Sequence, residues 1–228
     1  KVKNKILELY NSGLSKAEIV EEEISSYKYT MEVLKHLPDQ NTHPKINSAQ
    51  KARIIGTLLG DAWISNDWLF AFSHKYKYRN YTLHKAENIG LSHKIWDREQ
   101  YRKETLCKST GAYFHRHPYL KKLRNIFYPN GNKIFPKEYI QKFFTWESMA
   151  YWYLDDGNNS SCGYNLYVHA MSEYSDIIRE FLLNKLSLKT NKHSKGKVLY
   201  ITTSNCDYFT KNIKPYVPNC MKYKIKNL

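Results

Sequence analysis

Apolar residues near the start of the chain fall at Ile6, Leu7, Leu9 and Tyr10, a spacing that predicts a short amphipathic helix stopped by Gly13. Ser15-x-x-Glu18 has the form of a capping box opening a second helix, and Ser25 or Ser26 can cap a third. The polar segment Pro38-Asp39-Gln40-Asn41-Thr42-His43-Pro44 then interrupts every periodicity, because each proline disfavours helix in the residue before it. The pattern predicts a module over 1–37, a linker over 38–47 and a larger domain over 48–228. In that domain an apolar helix is expected at Ile54 to Leu59, then Trp63-Ile64 and Trp68 to Phe72 flanking the turn Ser65-Asn66-Asp67, and a broadly helical stretch over 80–99. A strand at Thr110 to His115, a helix at Tyr119 to Tyr128, the turn Pro129 to Asn132 and a helix at Lys137 to Phe144 follow. The series then restarts with an apolar helix at Glu147 to Leu154, a strand at Tyr164 to Met171 and a helix at Tyr174 to Leu186. Strands at Lys189 to His193 and Val198 to Thr203 flank Lys195-Gly196-Lys197, and a helix at Cys206 to Ile213 completes it. Helix, hairpin, helix, hairpin, helix occurs twice, so an internal duplication is expected, with repeats of about 48–144 and 145–228.

Charge adds a partner to this picture. The 228 residues carry a formal net charge of +15. Residues 1–37 are neutral, so the excess belongs to the larger domain and points to a polyanion, with nucleic acid as the leading candidate. No apolar run is long enough to span a membrane, so no membrane partner is expected. Cys107, Cys162, Cys206 and Cys220 form no C-x-x-C pair, which predicts neither a zinc knuckle nor a disulfide framework and fits a reducing intracellular compartment. His115 and His117 share a face only if the segment is a strand, and no further ligand stands at metal spacing beside them.

The candidate chemistry lies at two helix ends. Ile54-Ile55-Gly56-Thr57-Leu58-Leu59-Gly60-Asp61 and Met149-Ala150-Tyr151-Trp152-Tyr153-Leu154-Asp155-Asp156 are both apolar helices ending in a carboxylate. A helix C-terminus already carries roughly half a negative charge, so an aspartate there is unfavourable unless a cation joins it. Gly56 and Gly60, one turn apart, leave a smooth surface on which the two helices can pack and bring Asp61 and Asp156 into one site.

On these residues the sequence resembles the LAGLIDADG homing endonucleases, of the single-chain, two-repeat type, over roughly residues 48–226. The resemblance rests on Leu59-Gly60-Asp61-Ala62-Trp63-Ile64 and on residues 148–157, with weaker likeness at Asn132 to Pro136 and Pro218 to Lys224. Tyr151 and Asp155 depart from the motif, a departure shared by omega-like members of the family. The resemblance implies an α+β, pseudo-twofold αββαββα fold with saddle-shaped antiparallel sheets. It implies divalent metal, Mg²⁺ with Mn²⁺ as a substitute, at Asp61 and Asp156 with Gly60 and Asp155 beside them, and active-site lysines at Lys133 and Lys224, with Lys222 as a rival for the latter. It also implies a monomer that cuts each strand of a long asymmetric DNA target once, leaving short 3′ overhangs.

The expected DNA contacts are Lys75, Lys77 and Arg79 in a segment where bases alternate with aromatic residues, and Lys108, Arg116, Lys189, Lys192, Lys195 and Lys197 in or beside other strands. The first 35 residues resemble the helix-turn-helix of resolvase and invertase DNA-binding regions, which would place Ser26, Tyr27, Lys28 and Thr30 at the front of a recognition helix. Their neutrality keeps a plain three-helix packing module open. The rival for the whole chain is a protein of the same fold that binds nucleic acid without cutting, either an RNA maturase or a transcription regulator.

Overall fold

The computed structural model describes residues 1–11, 16–22, 24–37, 43–102 and 105–226, and the chain divides into two compact units, Lys1–Lys45 and Ile46–Leu228. The first holds α1 (Val2–Asn11), α2 (Lys16–Glu21) and α3 (Tyr27–Val33). Ile6, Tyr10, Ile19 and Leu34 form its core. Ser26 is the N-cap of α3, its hydroxyl accepting from the Tyr29 N–H at 3.4 Å. Gly13 and Ser15 lie outside the described residues.

In the second unit, the first repeat runs α4 (Ser48–Leu59), β1 (Trp63–Ile64), β2 (Phe70–Lys75), α5 (Arg79–Ile89), β3 (His93–Arg102), β4 (Thr105–Phe114) and α6 (Pro118–Phe127). A short helix, α7 (Lys137–Ile140), links it to α8 (Trp146–Asp156), β5 (Gly157–Ser160), β6 (Gly163–Tyr167), α9 (Ser175–Leu186), β7 (Thr190–His193), β8 (Val198–Ile201) and α10 (Thr203–Ile213). Each repeat thus has the order αββαββα. Each also has one antiparallel four-stranded sheet of identical topology, β1-β2-β4-β3 and β5-β6-β8-β7. The duplication anticipated from the pattern is therefore present strand for strand.

Several expectations change. The helix expected over 80–99 stops at Ile89, because Gly90 takes the left-handed conformation (φ 68°) that ends a helix, and His93–Arg102 is a strand. All ten of its residues pair with β4, so long-range hydrogen bonding settles a segment whose own apolar pattern is ambiguous. Gly157–Ser160, where no strand is expected, is a strand, and the strand expected at Tyr164 to Met171 ends at Tyr167, with a 3₁₀ turn over His169–Tyr174. Residues 76–79 are not strand either: β2 ends at Lys75, a 3₁₀ turn covers Tyr76–Tyr78, and Arg79 opens α5.

The central helices position the site. α4 and α8 pack directly against each other, and seven consecutive positions of α8, Ser148 to Leu154, are buried. Such all-round burial explains why both sequences are apolar on every face. Gly56 makes the contact possible: a Cβ there would lie 2.3 Å from the Ser148 carbonyl oxygen, which belongs to the backbone of α8 and cannot turn away. Gly56→Ala should therefore destabilise the protein by about 1–3 kcal/mol through overpacking. Urea denaturation checks this, and an alanine variant as stable as the parent would mean that the helices separate freely.

Candidate active site and nucleic-acid interface

Packing α4 on α8 brings their C-terminal ends to one open cleft of about 450 Å³, lined by Gly60, Asp61, Trp63, Tyr128, Lys133 and Asp156 among others. Asp61 is exposed and Asp156 half-buried. Burial, then the neighbouring Asp155 and Asp61 carboxylates, push the Asp156 carboxyl up to about 7, against the opposing pull of Lys133 and Lys224. The cleft is thus a place where negative charge is confined without enough positive charge to balance it.

The two lysines follow the pseudo-twofold relation. Lys133 Nζ donates to the carbonyl oxygens of Gly60 at 3.1 Å and Ala62 at 3.2 Å. Lys224 Nζ donates to those of Leu154 at 2.6 Å and Asp155 at 3.2 Å. In each repeat the lysine therefore holds the carbonyl of the residue just before the site aspartate. Lys222 is exposed, and the Lys224 backbone is fixed by the Tyr153 hydroxyl, which donates to its carbonyl at 2.7 Å. Burial lowers Lys133 to about 8, although Asp156, Asp155 and Asp61 all favour its charged form, and burial likewise lowers Lys224.

Asp155 has a different surrounding from the one its position in the motif suggests. Its side chain is fully buried and turned into the first repeat, where Lys85 Nζ donates to its two oxygens at 2.7 and 2.9 Å. The Tyr81 hydroxyl donates at 2.8 Å, the Asp61 backbone N–H at 3.2 Å, and His74 Nε2 lies 3.5 Å away. Burial would raise this carboxyl, but Lys85 and His74 outweigh it and hold it below its ordinary value. Gly60 makes room for it, since a Cβ there would lie 2.6 Å from Asp155 Oδ2.

Asp61, His74 and Asp155 place ligand atoms within 4.8 Å of one another, the only such group among the described residues. The Lys85 ammonium, however, already stands against Asp155 and within 3.3 Å of His74 Nε2, so the buried side of this cluster has its cation. The donors left facing the cleft are the carboxylates of Asp61 and Asp156 and nearby backbone carbonyls. All are hard oxygens, a set suited to Mg²⁺ or Mn²⁺.

His74, Tyr81 and Lys85 were not singled out in the sequence, although signals for them exist. Phe70, Phe72 and His74 alternate along β2, which puts the histidine on the buried face with the two phenylalanines. Tyr81, Lys85 and Ile89 fall at helical spacing on the buried side of α5, and a lysine in such a stripe demands a buried anion. In the His115-x-His117 pair, His117 is the N-cap of α6, and its Nδ1 accepts from the Tyr119 N–H at 3.0 Å.

Of the basic residues expected at DNA, Lys75, Lys77, Lys189, Lys195 and Lys197 are exposed. Arg79 pairs with Asp97 at 3.2 Å, Lys108 with Glu99 at 2.5 Å, Arg116 with Asp67 at 3.4 Å and Lys192 with Asp176 at 2.6 Å. These are surface pairs weakened by solvent, so phosphates can replace the acids at little loss. Beyond the Lys75–Ser109 pairing, β3 and β4 continue as a two-stranded arm that carries the exposed Tyr101 and Leu106. In the N-terminal unit Ser26, Tyr27 and Lys28 are exposed, but Thr30 is only 1% exposed. Thr30 packs inward, and its expected contact with bases is withdrawn.

Comparison with known proteins agrees with this geometry. A model described as the LAGLIDADG DNA endonuclease family matches residues 51–209. The chain is 25% identical over 198 residues to "Probable intron-encoded endonuclease 1" of Wickerhamomyces canadensis, covering 79% of this chain and 85% of that one. It is 26% identical over 217 residues to "DNA endonuclease I-ChuI" of Chlamydomonas applanata, covering 80% and 96%. A solved structure titled "The homing endonuclease I-WcaI bound to its DNA recognition sequence" shares the fold with a TM-score of 0.69 at 24% identity, over 81% of this chain and 89% of that one. The matched region holds both helices, both sheets and both aspartates, and this chain belongs to the LAGLIDADG DNA endonuclease family.

Proposed function

We propose that the protein is a site-specific, Mg²⁺-dependent endonuclease that binds a long asymmetric DNA duplex as a monomer and hydrolyses one phosphodiester in each strand, leaving short 3′ overhangs. The observation that carries this reading is the twofold site, in which Asp61 and Asp156 meet at one cleft and Lys133 and Lys224 each hold the carbonyl just before an aspartate. Two carboxylates with nearby carbonyls fit a divalent cation, and the rise of Asp156 to about 7 is the penalty such a cation would relieve. When bound, the cation supplies positive charge for the in-line displacement and activates solvent.

The chain's own residues do the rest. Asp61 and Asp156 would hold the metal through their carboxylates, with Gly60 and Asp155 contributing backbone carbonyls. Lys133 and Lys224 would orient those carbonyls and present N–H donors toward phosphate oxygens. Lys133, lowered to about 8, can also give up or take a proton near neutral pH. Lys75, Lys189, Lys195 and Lys197, with the paired bases Arg79, Lys108, Arg116 and Lys192, would bind phosphates along the target, and Lys77 would act beside them. In the N-terminal unit Ser26, Tyr27 and Lys28 remain the candidates for an additional contact.

Cleavage of a randomised duplex library with Mg²⁺, with the ends sequenced, tests this for the intact protein and for Asp61→Asn and Asp156→Asn. Discrete double-strand cuts are expected from the parent. Each variant should slow its strand by about a thousandfold, since the lost charge stabilisation is worth several kcal/mol. A second reading has an observation of its own: "Cytochrome b mRNA maturase bI2" of Debaryomyces hansenii is 29% identical over 106 residues, 44% of this chain and 40% of that one. Tight binding of RNA or DNA with no cut under any divalent metal would favour that reading.

A further inference from the structure

The two halves of the cleft are not equally built, and the difference lies in a buried group that the twofold relation does not repeat. Asp61 is held at two points: its backbone N–H donates to Asp155 Oδ2 at 3.2 Å, and its Oδ2 lies 3.4 Å from His74 Nε2. Asp155 is in turn clamped by Lys85 at 2.7 Å and Tyr81 at 2.8 Å, and His74 Nδ1 is fixed by the Thr82 hydroxyl at 2.9 Å. The Lys85 ammonium also sits over the Phe72 ring at 4.2 Å, so the clamp is packed as well as bonded. His74, Tyr81 and Lys85 come from β2 and α5 of the first repeat, and Asp155 comes from α8 of the second. Asp156 lacks the equivalent: the residue matching Asp155 in the first repeat is Gly60, which has no side chain, and no hydrogen bond reaches the Asp156 carboxylate from the described residues.

We propose that Lys85 and Tyr81, acting through Asp155, and His74, acting both through Asp155 and directly, are positioning residues that pre-set Asp61, so that the two strands of the target are cut by unequally prepared centres. The inference rests on the endonuclease reading above and adds to it an order of events. The Asp61 centre is braced before DNA arrives, whereas the Asp156 carboxylate takes its place only when metal and DNA hold it. The strand served by Asp61 is therefore cut first, and the nicked intermediate carries its break in that strand.

The test uses the full chain and the duplex selected from the randomised library, labelled on each strand in turn, with single-turnover cleavage in Mg²⁺. The strand that Asp61→Asn slows more defines the Asp61 strand. His74→Phe, which keeps the ring volume, and the milder Tyr81→Phe are then compared with the parent, with duplex affinity measured in EDTA as a check of fold and binding. The expected result is that His74→Phe slows the Asp61 strand by about tenfold or more and Tyr81→Phe does so by less. The other strand should stay within about twofold of the parent, with affinity in EDTA unchanged. An EPR titration of the protein with Mn²⁺ should show about fivefold weaker binding at one site in His74→Phe. Equal slowing of both strands, or no slowing of either, with parental Mn²⁺ binding, overturns the inference while leaving the endonuclease standing. A parent protein that cuts neither strand overturns both.

Discussion

Lys85→Met should lower the stability of the protein by about 3–5 kcal/mol, because it leaves Asp155 charged, buried and without its counter-ion. Both side chains of the pair are fully buried, 2.7 Å apart, and the lysine is the largest of the influences that, with His74, outweigh the burial of the carboxylate. Methionine keeps most of the volume between Phe72 and Tyr81, so lost packing is a small part of the effect. The deficit should shrink as the pH is lowered, since a protonated Asp155 needs no cation. Pairing the change with Asp155→Asn should recover most of the loss, because the uncompensated charge is then gone. Urea denaturation of the parent, the single and the double variant measures all of this. A single variant within 1 kcal/mol of the parent would mean that water reaches the site and that the buried pair is not the clamp described above.

Asp156→Asn should do the opposite to stability while it slows cutting of one strand by about a thousandfold. The Asp156 carboxyl has its folded-state value raised from 3.8 to about 7 by burial and by Asp155 and Asp61. A carboxylic acid with a raised value binds its proton more tightly when folded, so the metal-free protein loses stability as the pH rises from about 4 to about 7, and the full penalty is present above that. A shift of this size corresponds to at most about 4 kcal/mol, and the partial exposure of the residue reduces it to about 1–3 kcal/mol. Asparagine carries no charge to confine. The variant should therefore be more stable than the parent at pH 8 in EDTA, by that amount, and equal to it near pH 4. Mg²⁺ at pH 8 should raise the melting temperature of the parent and leave that of the variant nearly unchanged. Parallel melting curves across this pH range would show that Asp156 is solvated and carries no confined charge. The trade follows from placing two aspartates at helix ends that already repel them.

The sequence by itself determined the architecture that matters for the chemistry. Two apolar stretches too hydrophobic for surface helices, each ending in an aspartate 95 residues apart, require two buried helices whose ends carry charge. Gly56 marks the face on which they meet, and α4 and α8 pack there with a backbone oxygen where a side chain would be. The +15 charge outside the first 37 residues pointed to a polyanion for the same reason, since composition survives any uncertainty in structure.

What local pattern could not reveal is where distant residues meet. His93–Arg102 becomes a strand only because β4 supplies a partner for every position, and nothing within those ten residues encodes that partner. Thr30 sits in the predicted recognition helix, yet packing among α1, α2 and α3 turns it inward. Asp155 stands beside Asp156 in the chain, but Gly60 leaves a space on the other side of the helix contact and Lys85 puts a cation in it. Adjacent aspartates thus separate into a buried brace and a residue of the cleft. Only the tertiary structure decides that, because burial and counter-ions are set by residues some 70 positions away, to which sequence periodicity is blind.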